Sequence, residues 1–191
     1  MGMLTPLLHI TMPEDDGEDR HFAPIIFALQ AMINVNRWHI QRGLERSRRG
    51  KGPRVPLLYE SGVRYKEDPP GQENWKDCLA VIAEGTGDCD RLVAWRVAEL
   101  DVAGIQAEPI IKWQQVPRDT MIRLGHPAHM VPRDGISMVH VLVRYHDPEC
   151  PSHGQGQRGT GTAYRENAQC TCPIEDPSKI LGMGGDYTNG I

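Results

Sequence analysis

The spacing of apolar positions separates a helical first half of the chain from a second half that carries strands. Between positions 22 and 49 apolar residues recur every three or four positions, the spacing of one helix face, and Pro24 suits the first turn. Positions 105–113 and 137–145 instead hold the apolar runs of β-strands. In the second run apolar side chains point to both faces, which is typical of a strand buried on both sides. We therefore predict an α+β fold.

Two further helices are predicted between these regions, over 72–84 and 88–102, with a tight loop at Gly85-Thr86-Gly87. A short strand end is predicted at 174–177. The stretches rich in proline, glycine or polar residues are predicted as connections, namely 53–71, 114–136 and 146–173. A chain of 191 residues fits one domain. The predicted parts of that domain are an N-terminal extension and helix (1–56), a core (57–182) with an insertion (146–173), and a loose tail (183–191).

The composition narrows the class of protein. Hydrophobic residues make up 39% and charged residues 24%, which excludes a largely disordered chain. A formal net charge of −4 argues against a protein that coats nucleic acid, so we expect no nucleic-acid partner. No apolar run reaches the roughly 18 residues that cross a bilayer, and no signal peptide opens the sequence, so we expect no membrane partner. Five cysteines, an odd number, indicate a reducing compartment.

The sharpest candidate for chemistry is Cys89, which follows Gly85-Thr86-Gly87-Asp88 and opens a predicted helix. Backbone N–H groups and the helix dipole favour a thiolate at this position, and the glycines leave room for a substrate carbonyl. The alternative is a small hydrophobic residue buried at the start of a helix, because thiols are often buried and inert.

A histidine and two acidic residues supply the other parts of a nucleophilic site. His140 lies in the middle of the clearest strand, where a thiolate opposite would explain an imidazole; a structural histidine with one hydrogen bond is the alternative. An acidic residue at a strand end could orient the ring. Asp176 and Asp147 are the two candidates, and a solvated Asp-Pro turn is the alternative for each.

The order of these residues resembles the transglutaminase-like branch of the papain-like cysteine peptidase superfamily. The resemblance rests on Gly87-Asp88-Cys89-Asp90 with Trp95 and Ala98-Glu99-Leu100, on His140-Val141-Leu142-Val143, and on the stretch from Glu175 to Gly182. The ending Asp176-Pro177-Ser178 suits the acidic member of the family and favours Asp176 over Asp147. The link between His140 and Asp176 is longer than the family's short hairpin, so 146–173 is predicted to be an insertion.

The resemblance implies a fold and a mechanism. The fold is a papain-like or transglutaminase-like core in which the helix bearing Cys89 packs on a small antiparallel sheet, with an extra N-terminal helix. The implied catalytic residues are Cys89 as nucleophile, His140 as general base and acid, and Asp176 as the residue that orients the ring. The oxyanion would bind the Cys89 backbone N–H and one further donor. Trp75 is a candidate for that donor, with burial in the core as its alternative. No cofactor is required for this chemistry.

The implied activity is that of a cysteine peptidase, amidase or transglutaminase, which acts on an amide bond of a peptide or protein through a thioacyl intermediate. Similarity to small bacterial and phage proteins of this branch implies a cytoplasmic or phage-particle location, with phage structural proteins as candidate partners. The alternative is a non-catalytic structural or interaction module on the same fold, and a zinc-stabilised adaptor is a third interpretation.

Two further clusters stand apart from this site. Cys150 and His153 precede a glycine-rich stretch that Cys170 and Cys172 follow. Four such ligands suit a structural zinc, and a mobile loop with reduced thiols is the simpler interpretation. Positions 37–54 carry seven basic side chains and one acidic one. A surface for nucleic acid or an acidic partner is one interpretation, and a solvated helix end whose cations complement the dipole is the simpler one.

Overall fold

The computed structural model describes residues 22–68, 74–123, 127–129, 133, 136–147, 149–150 and 171–183. Residues 1–21 of the predicted N-terminal extension, most of the predicted insertion and nearly all of the predicted tail lie outside these residues. The helices are α1 (Phe22–Arg48), α2 (Cys78–Glu84), α3 (Cys89–Val102), α4 (Arg118–Arg123) and α5 (Pro177–Ile180). The strands are β1 (Arg64–Tyr65), β2 (Thr86–Gly87), β3 (Ala107–Val116), β4 (Ile136–Tyr145) and β5 (Ile174–Glu175).

The prediction of an α+β fold with a cysteine-bearing helix on a small antiparallel sheet is confirmed. Strands β3, β4 and β5 form an antiparallel sheet in that order, with Lys112 opposite His140 and Glu175 opposite Val143. Helix α3, which begins at Cys89, packs on this sheet, and α1 packs along α3. Strands β1 and β2 form a separate parallel pair.

The core lies between α1, α3 and the sheet. The apolar face of α1 contributes Leu29 and Met32, while α3 contributes Leu92 and Trp95, all at most 2% exposed. Burying a side chain of this kind stabilises the fold by about 1.5–3 kcal/mol. The packing of these two helices therefore fixes where the first residue of α3 stands.

Helix α2 is shorter than the predicted helix over 72–84, because a polar cap starts it at Cys78. The Asp77 carboxylate accepts a hydrogen bond from Ala80 N at 2.9 Å, and Asn36 Oδ1 on α1 accepts one from Cys78 N at 2.7 Å. These acceptors satisfy N–H groups that have no partner within a helix. Trp75 consequently lies before the helix, and it is 2% exposed.

Two predicted connections contain regular structure. The connection 53–71 holds a 3-10 turn (Leu58–Glu60) and strand β1. Strand β3 continues to Val116, past its predicted end, and α4 follows inside the predicted connection 114–136, with Met121 buried. The predicted strand end at 174–177 is a strand only over β5, after which Asp176 caps the short helix α5. Among the described residues, no helix combines the length and the apolar character that crossing a membrane requires.

Candidate functional site

Cys89 is the first residue of α3 and is 8% exposed. Asp88 caps the helix: its Oδ1 accepts a hydrogen bond from Cys89 N at 2.6 Å, and its carbonyl accepts the first helical bond from Leu92 N. The predicted location of a thiol in the first turn of a helix is therefore observed. The backbone N–H that the resemblance assigns to the oxyanion, however, donates to the Asp88 carboxylate.

Gly87 has a different role from the one the sequence suggested. A Cβ atom at this position would lie 3.0 Å from Leu92 Cδ2 and 3.2 Å from Val81 Cγ1. Gly87 is thus needed for close packing between α2 and α3, and not for an open approach to the thiol. Gly85, whose φ of 72° ends α2, has open space beside its Cα.

The segment that starts with β1 forms one wall beside Cys89. Lys66 N donates to Gly87 O at 2.9 Å, and Asp68 N donates to Asp88 Oδ2 at 2.8 Å. Asp68 also forms an ion pair with Arg91 on α3, so the wall is tied to the helix. Burial raises the pKa of Tyr65, and the neighbouring Asp88 and Cys89 raise it further. The sequence did not identify Tyr65 as a neighbour of the thiol or Asp68 as a partner of Asp88, because the parallel pairing of β1 with β2 brings this segment there.

His140 and Asp176 form a hydrogen-bonded pair. The two side chains are 13% and 15% exposed, and His140 Nε2 lies 3.1 Å from Asp176 Oδ2. When Nε2–H donates to the carboxylate, Nδ1 is the ring nitrogen left to accept a proton. Of the two acidic candidates, Asp176 therefore contacts the ring, whereas the Asp147 carboxylate accepts from Glu149 N at 2.9 Å.

The Asp176 carboxylate is held on both oxygens. Its Oδ1 caps α5 by accepting hydrogen bonds from Ser178 N at 3.1 Å and Lys179 N at 3.2 Å. Burial alone would raise the pKa of this carboxyl, but the His140 ring and the Lys179 N–H outweigh that effect and lower it. Asp176 is consequently ionised at neutral pH and fixed in orientation toward His140.

Neighbouring residues on β4 and β5 point to opposite faces of the sheet. Val141 and Val143 join the core on the side of α3, whereas His140 alternates to the other face, where it meets Asp176. Glu175, opposite Val143, shares the face of α3.

A second polar cluster, which the sequence did not predict, surrounds Glu175. Its Oε1 accepts hydrogen bonds from Arg96 Nε at 2.9 Å and from Tyr59 Oη, and its Oε2 accepts one from Tyr145 Oη. Arg96 also donates to Glu99 Oε2 at 3.2 Å. We call Tyr59, Arg96, Glu99, Tyr145 and Glu175 the Glu175 network. Two polar residues three positions apart on the otherwise apolar face of α3 were the one signal in the sequence.

The predicted zinc ligands lie only partly in the described part of the chain. Cys150 and Cys172 are 6% and 5% exposed, and Thr171 Oγ1 lies 3.7 Å from Cys150 Sγ, so the two ends of the insertion meet. His153 and Cys170 lie outside the described residues. Within the described residues alone, no three His, Cys, Asp or Glu side chains are arranged to hold a metal ion.

Exposure decides between the interpretations of the two remaining candidates, Trp75 and the basic stretch 37–54. Trp75 is part of the core, and its Nε1 is buried with no acceptor in the described part of the chain, so it does not face a cleft. The basic stretch is exposed: Trp38 is 51% exposed, and the Arg42 guanidinium lies 4.9 Å from the centre of its ring.

Comparison with known proteins gives this chain no relative. No family model, curated protein or solved structure matches it. The resemblance to the transglutaminase-like branch therefore rests on the residues of the chain itself, and function must be argued from the site.

Proposed function

We propose that this protein is a cysteine-dependent acyl-transfer enzyme with a transglutaminase-like, papain-like fold, acting as a peptidase or amidase on a peptide or protein. The observation that carries the proposal is the hydrogen bond between His140 Nε2 and Asp176 Oδ2, with the second Asp176 oxygen fixed by the cap of α5. An orienting carboxylate that holds one tautomer of an imidazole is what nucleophilic catalysis by a thiol needs. Cys89, at the start of a helix that packs against both β4 and α5, is the nucleophile.

In the proposed reaction, Nδ1 of His140 accepts the proton of the Cys89 thiol as Sγ bonds to the amide carbonyl carbon. The C–N bond then breaks, and His140 returns the proton to the leaving amine, which leaves a thioester on Cys89. Water attacks the thioester carbon as it loses a proton to His140. The C–S bond then breaks, the acid is released, and the Cys89 sulfur takes the proton back from His140. An amine in place of water gives a cross-link instead of hydrolysis.

Stabilisation of the oxyanion by the Cys89 N–H requires a change in the hydrogen bond that Asp88 now accepts. Because the Cys89 N–H donates to Asp88 Oδ1, this N–H can stabilise an oxyanion only if the carboxylate turns away or shares the proton. Asp68 N is a second partner for the same carboxylate and can retain it in a turned position.

The test compares thiols within one chain. Iodoacetamide at pH 6, with mass-spectrometric readout of each cysteine, should label Cys89 fastest, and His140→Ala should slow that labelling about 100-fold because the base is lost. An electrophilic acyl probe should form an adduct that Cys89→Ala lacks. Cys78→Ala is the matched control, because burial raises the pKa of the Cys78 thiol to about 12 and its removal should change neither result. Equal labelling of all five cysteines would contradict the proposal.

A second function, a non-catalytic binding module on the same fold, is favoured by one observation. Cys89 is 8% exposed and its N–H is bound by Asp88, as in a purely structural helix start. The two functions differ in the adduct: a binding module gives no acyl adduct at Cys89, whether or not His140 is present. Phage structural proteins are the proposed partners in that case.

We also propose a structural zinc held by Cys150, His153, Cys170 and Cys172, supported by the proximity of the two described ends of the insertion. Elemental analysis of the purified protein should find about one zinc per chain, and Cys150→Ser should abolish it. Substoichiometric zinc would leave the insertion as a loop with reduced thiols.

A further inference from the structure

The junction between β5 and α5 must hold Asp176 in place with little help from the sheet. In the described part of the chain, strand β5 has two residues, Ile174 and Glu175, which pair with Arg144 and Val143, and one further bond runs from Tyr145 N to Pro173 O at 2.9 Å. A pair of this length fixes its end weakly, because a strand gains its position from a row of ladder hydrogen bonds. The cap of α5 orients the Asp176 carboxylate, but the backbone before it needs a restraint that so short a ladder does not supply.

Glu175 provides that restraint, since its carboxylate accepts hydrogen bonds from three elements of the fold. Arg96 on α3 donates through Nε at 2.9 Å and Nη2 at 3.4 Å, Tyr145 at the end of β4 donates its hydroxyl, and so does Tyr59 in the turn Leu58–Glu60. The pair is mostly buried, with Glu175 16% and Arg96 19% exposed. Charge-assisted bonds of this kind are directional, so they fix the backbone of Glu175 relative to α3.

Arg96 is itself immobilised. It donates to Glu99 Oε2 and to Tyr145 Oη, both at 3.2 Å, and its guanidinium lies 5.0 Å from the centre of the Tyr59 ring. Arg96 belongs to the helix that begins at Cys89, whereas Glu175 is bonded to the residue that holds the His140 ring. The Arg96–Glu175 pair thus connects the element of the thiol to the element of the carboxylate.

We propose that Glu175, held by Arg96, is a positioning residue that sets Asp176 against His140, an inference that rests on the proposed function. Glu175 touches neither the ring nor the thiol and acts only through Asp176. Adjacent side chains of one strand point to opposite faces, so Glu175 can be anchored on α3 while Asp176 faces the imidazole.

The test is a double-mutant cycle read at Cys89. Glu175→Gln should slow alkylation of Cys89 by iodoacetamide at pH 6 roughly tenfold, and in an Asp176→Asn background the same change should slow it less than twofold, because the residue through which it acts is already impaired. Glu108→Gln is the matched control. It breaks a second ion pair at the sheet, to Arg144 (2.9 Å), without touching Asp176, and should leave alkylation unchanged.

An NMR measurement distinguishes a positioning role of Glu175 from a general loosening of the structure around it. The ring ¹⁵N resonances of His140, identified by their loss in His140→Ala, should indicate the Nε2–H tautomer in the wild type and a mixture of tautomers in Glu175→Gln, while Glu108→Gln keeps the wild-type signals. If Glu175→Gln does not fold, Tyr145→Phe removes one donor to Glu175 and should move the signals in the same direction by a smaller amount.

The outcomes distinguish the two proposals. Wild-type Cys89 that reacts no faster than Cys89 in His140→Ala overturns the proposed function. A wild-type enhancement and an Nε2–H signal that both survive Glu175→Gln overturn the positioning role alone. An equal slowing by Glu175→Gln with and without Asp176→Asn also overturns it, because the effect then does not pass through Asp176.

Discussion

The β5 edge of the sheet and the end of α1 both carry many charges, but they hold them differently. At the β5 edge, Arg96 and Glu175 are 19% and 16% exposed and lie 2.9 Å apart. Just after α1, Arg54 and Glu60 are 56% and 59% exposed and lie 3.6 Å apart. Buried pairs are strongly coupled to the fold, whereas exposed pairs contribute about 0–1 kcal/mol.

This difference shows which of the charged residues the fold depends on. The charges near α1 can change without cost to the structure, which suits a solvated surface. Those of the Glu175 network are interdependent, and they lie next to the carboxylate that holds His140. A buried and interdependent cluster of this kind fixes the geometry at the edge of the short sheet more tightly than stability alone requires.

The largest expected effect is from breaking the network at its centre. Arg96→Ala should lower the free energy of unfolding by about 4 kcal/mol, because it leaves Glu175 and Glu99 partly buried without their cation. Urea denaturation at pH 7 measures the loss. A loss below 1 kcal/mol would show that the two regions hold their charges alike.

A pH dependence of slightly smaller size should arise from Glu99. Burial raises its pKa to about 7, although the Leu58 N–H and Arg96 act in the opposite direction. Between pH 4.5, the ordinary value, and pH 7 the folded chain keeps a proton that the unfolded chain releases. The free energy of unfolding should therefore fall as pH rises through this window, by about 3 kcal/mol in all.

Glu99→Gln should flatten that slope, since an amide does not ionise. The exposed Glu45→Gln serves as the control and should leave the slope unchanged. Denaturant titrations at half-unit pH intervals provide the measurement, and an equal slope in wild type and Glu99→Gln would contradict the assignment to Glu99.

A moderate effect is expected at Asp176, which both caps α5 and pairs with His140. Asp176→Ala should cost about 1–2 kcal/mol at pH 7 through loss of the cap and of the pair. The pKa of this carboxyl is lowered in the fold, so its contribution is present above the ordinary value of 3.8 and disappears as pH falls below it. Thermal unfolding of the wild type and the variant should converge in acid, and a constant difference would refute the charge-based part.

The smallest effect is expected at the other region. Arg42→Ala removes a guanidinium that lies over the half-exposed Trp38, and it should change the free energy of unfolding by less than about 0.5 kcal/mol. The same urea measurement detects it. If Arg42→Ala lowered the free energy of unfolding by nearly as much as Arg96→Ala, the two regions would not differ as described.

The elements with strong periodicity could be predicted from the sequence. Helix α1, helix α3 and strand β4 follow their apolar patterns closely. Strand β4 has Val141 and Leu142 buried on opposite faces, as its pattern predicted. Local sequence determined these parts because the burial of one face or of both is encoded within a few residues.

The remaining features depend on contacts between distant positions. The start of α2 is set by the local cap of Asp77 together with Asn36 on α1, which accepts a hydrogen bond from Cys78 N, and no local pattern reveals the contact to Asn36. The pairing of Asp176 with His140 was among the sequence-based candidates, but Glu175 was not, because its partners Tyr59 and Arg96 are far away along the chain. Propensity cannot reveal an ion pair that exists only after the sheet has formed.

Strand β1 forms backbone hydrogen bonds to two segments that are far apart in the sequence and are therefore synthesised at very different times. Arg64 N donates to Gly85 O at 3.0 Å and Lys66 N to Gly87 O at 2.9 Å, whereas Tyr65 N donates to Leu181 O at 3.0 Å. The wall beside Cys89 is therefore completed only after Leu181 has left the exit tunnel. Until then the core lacks Leu181, which is buried in the folded chain, so during synthesis the thiol exists for an interval without its finished surroundings.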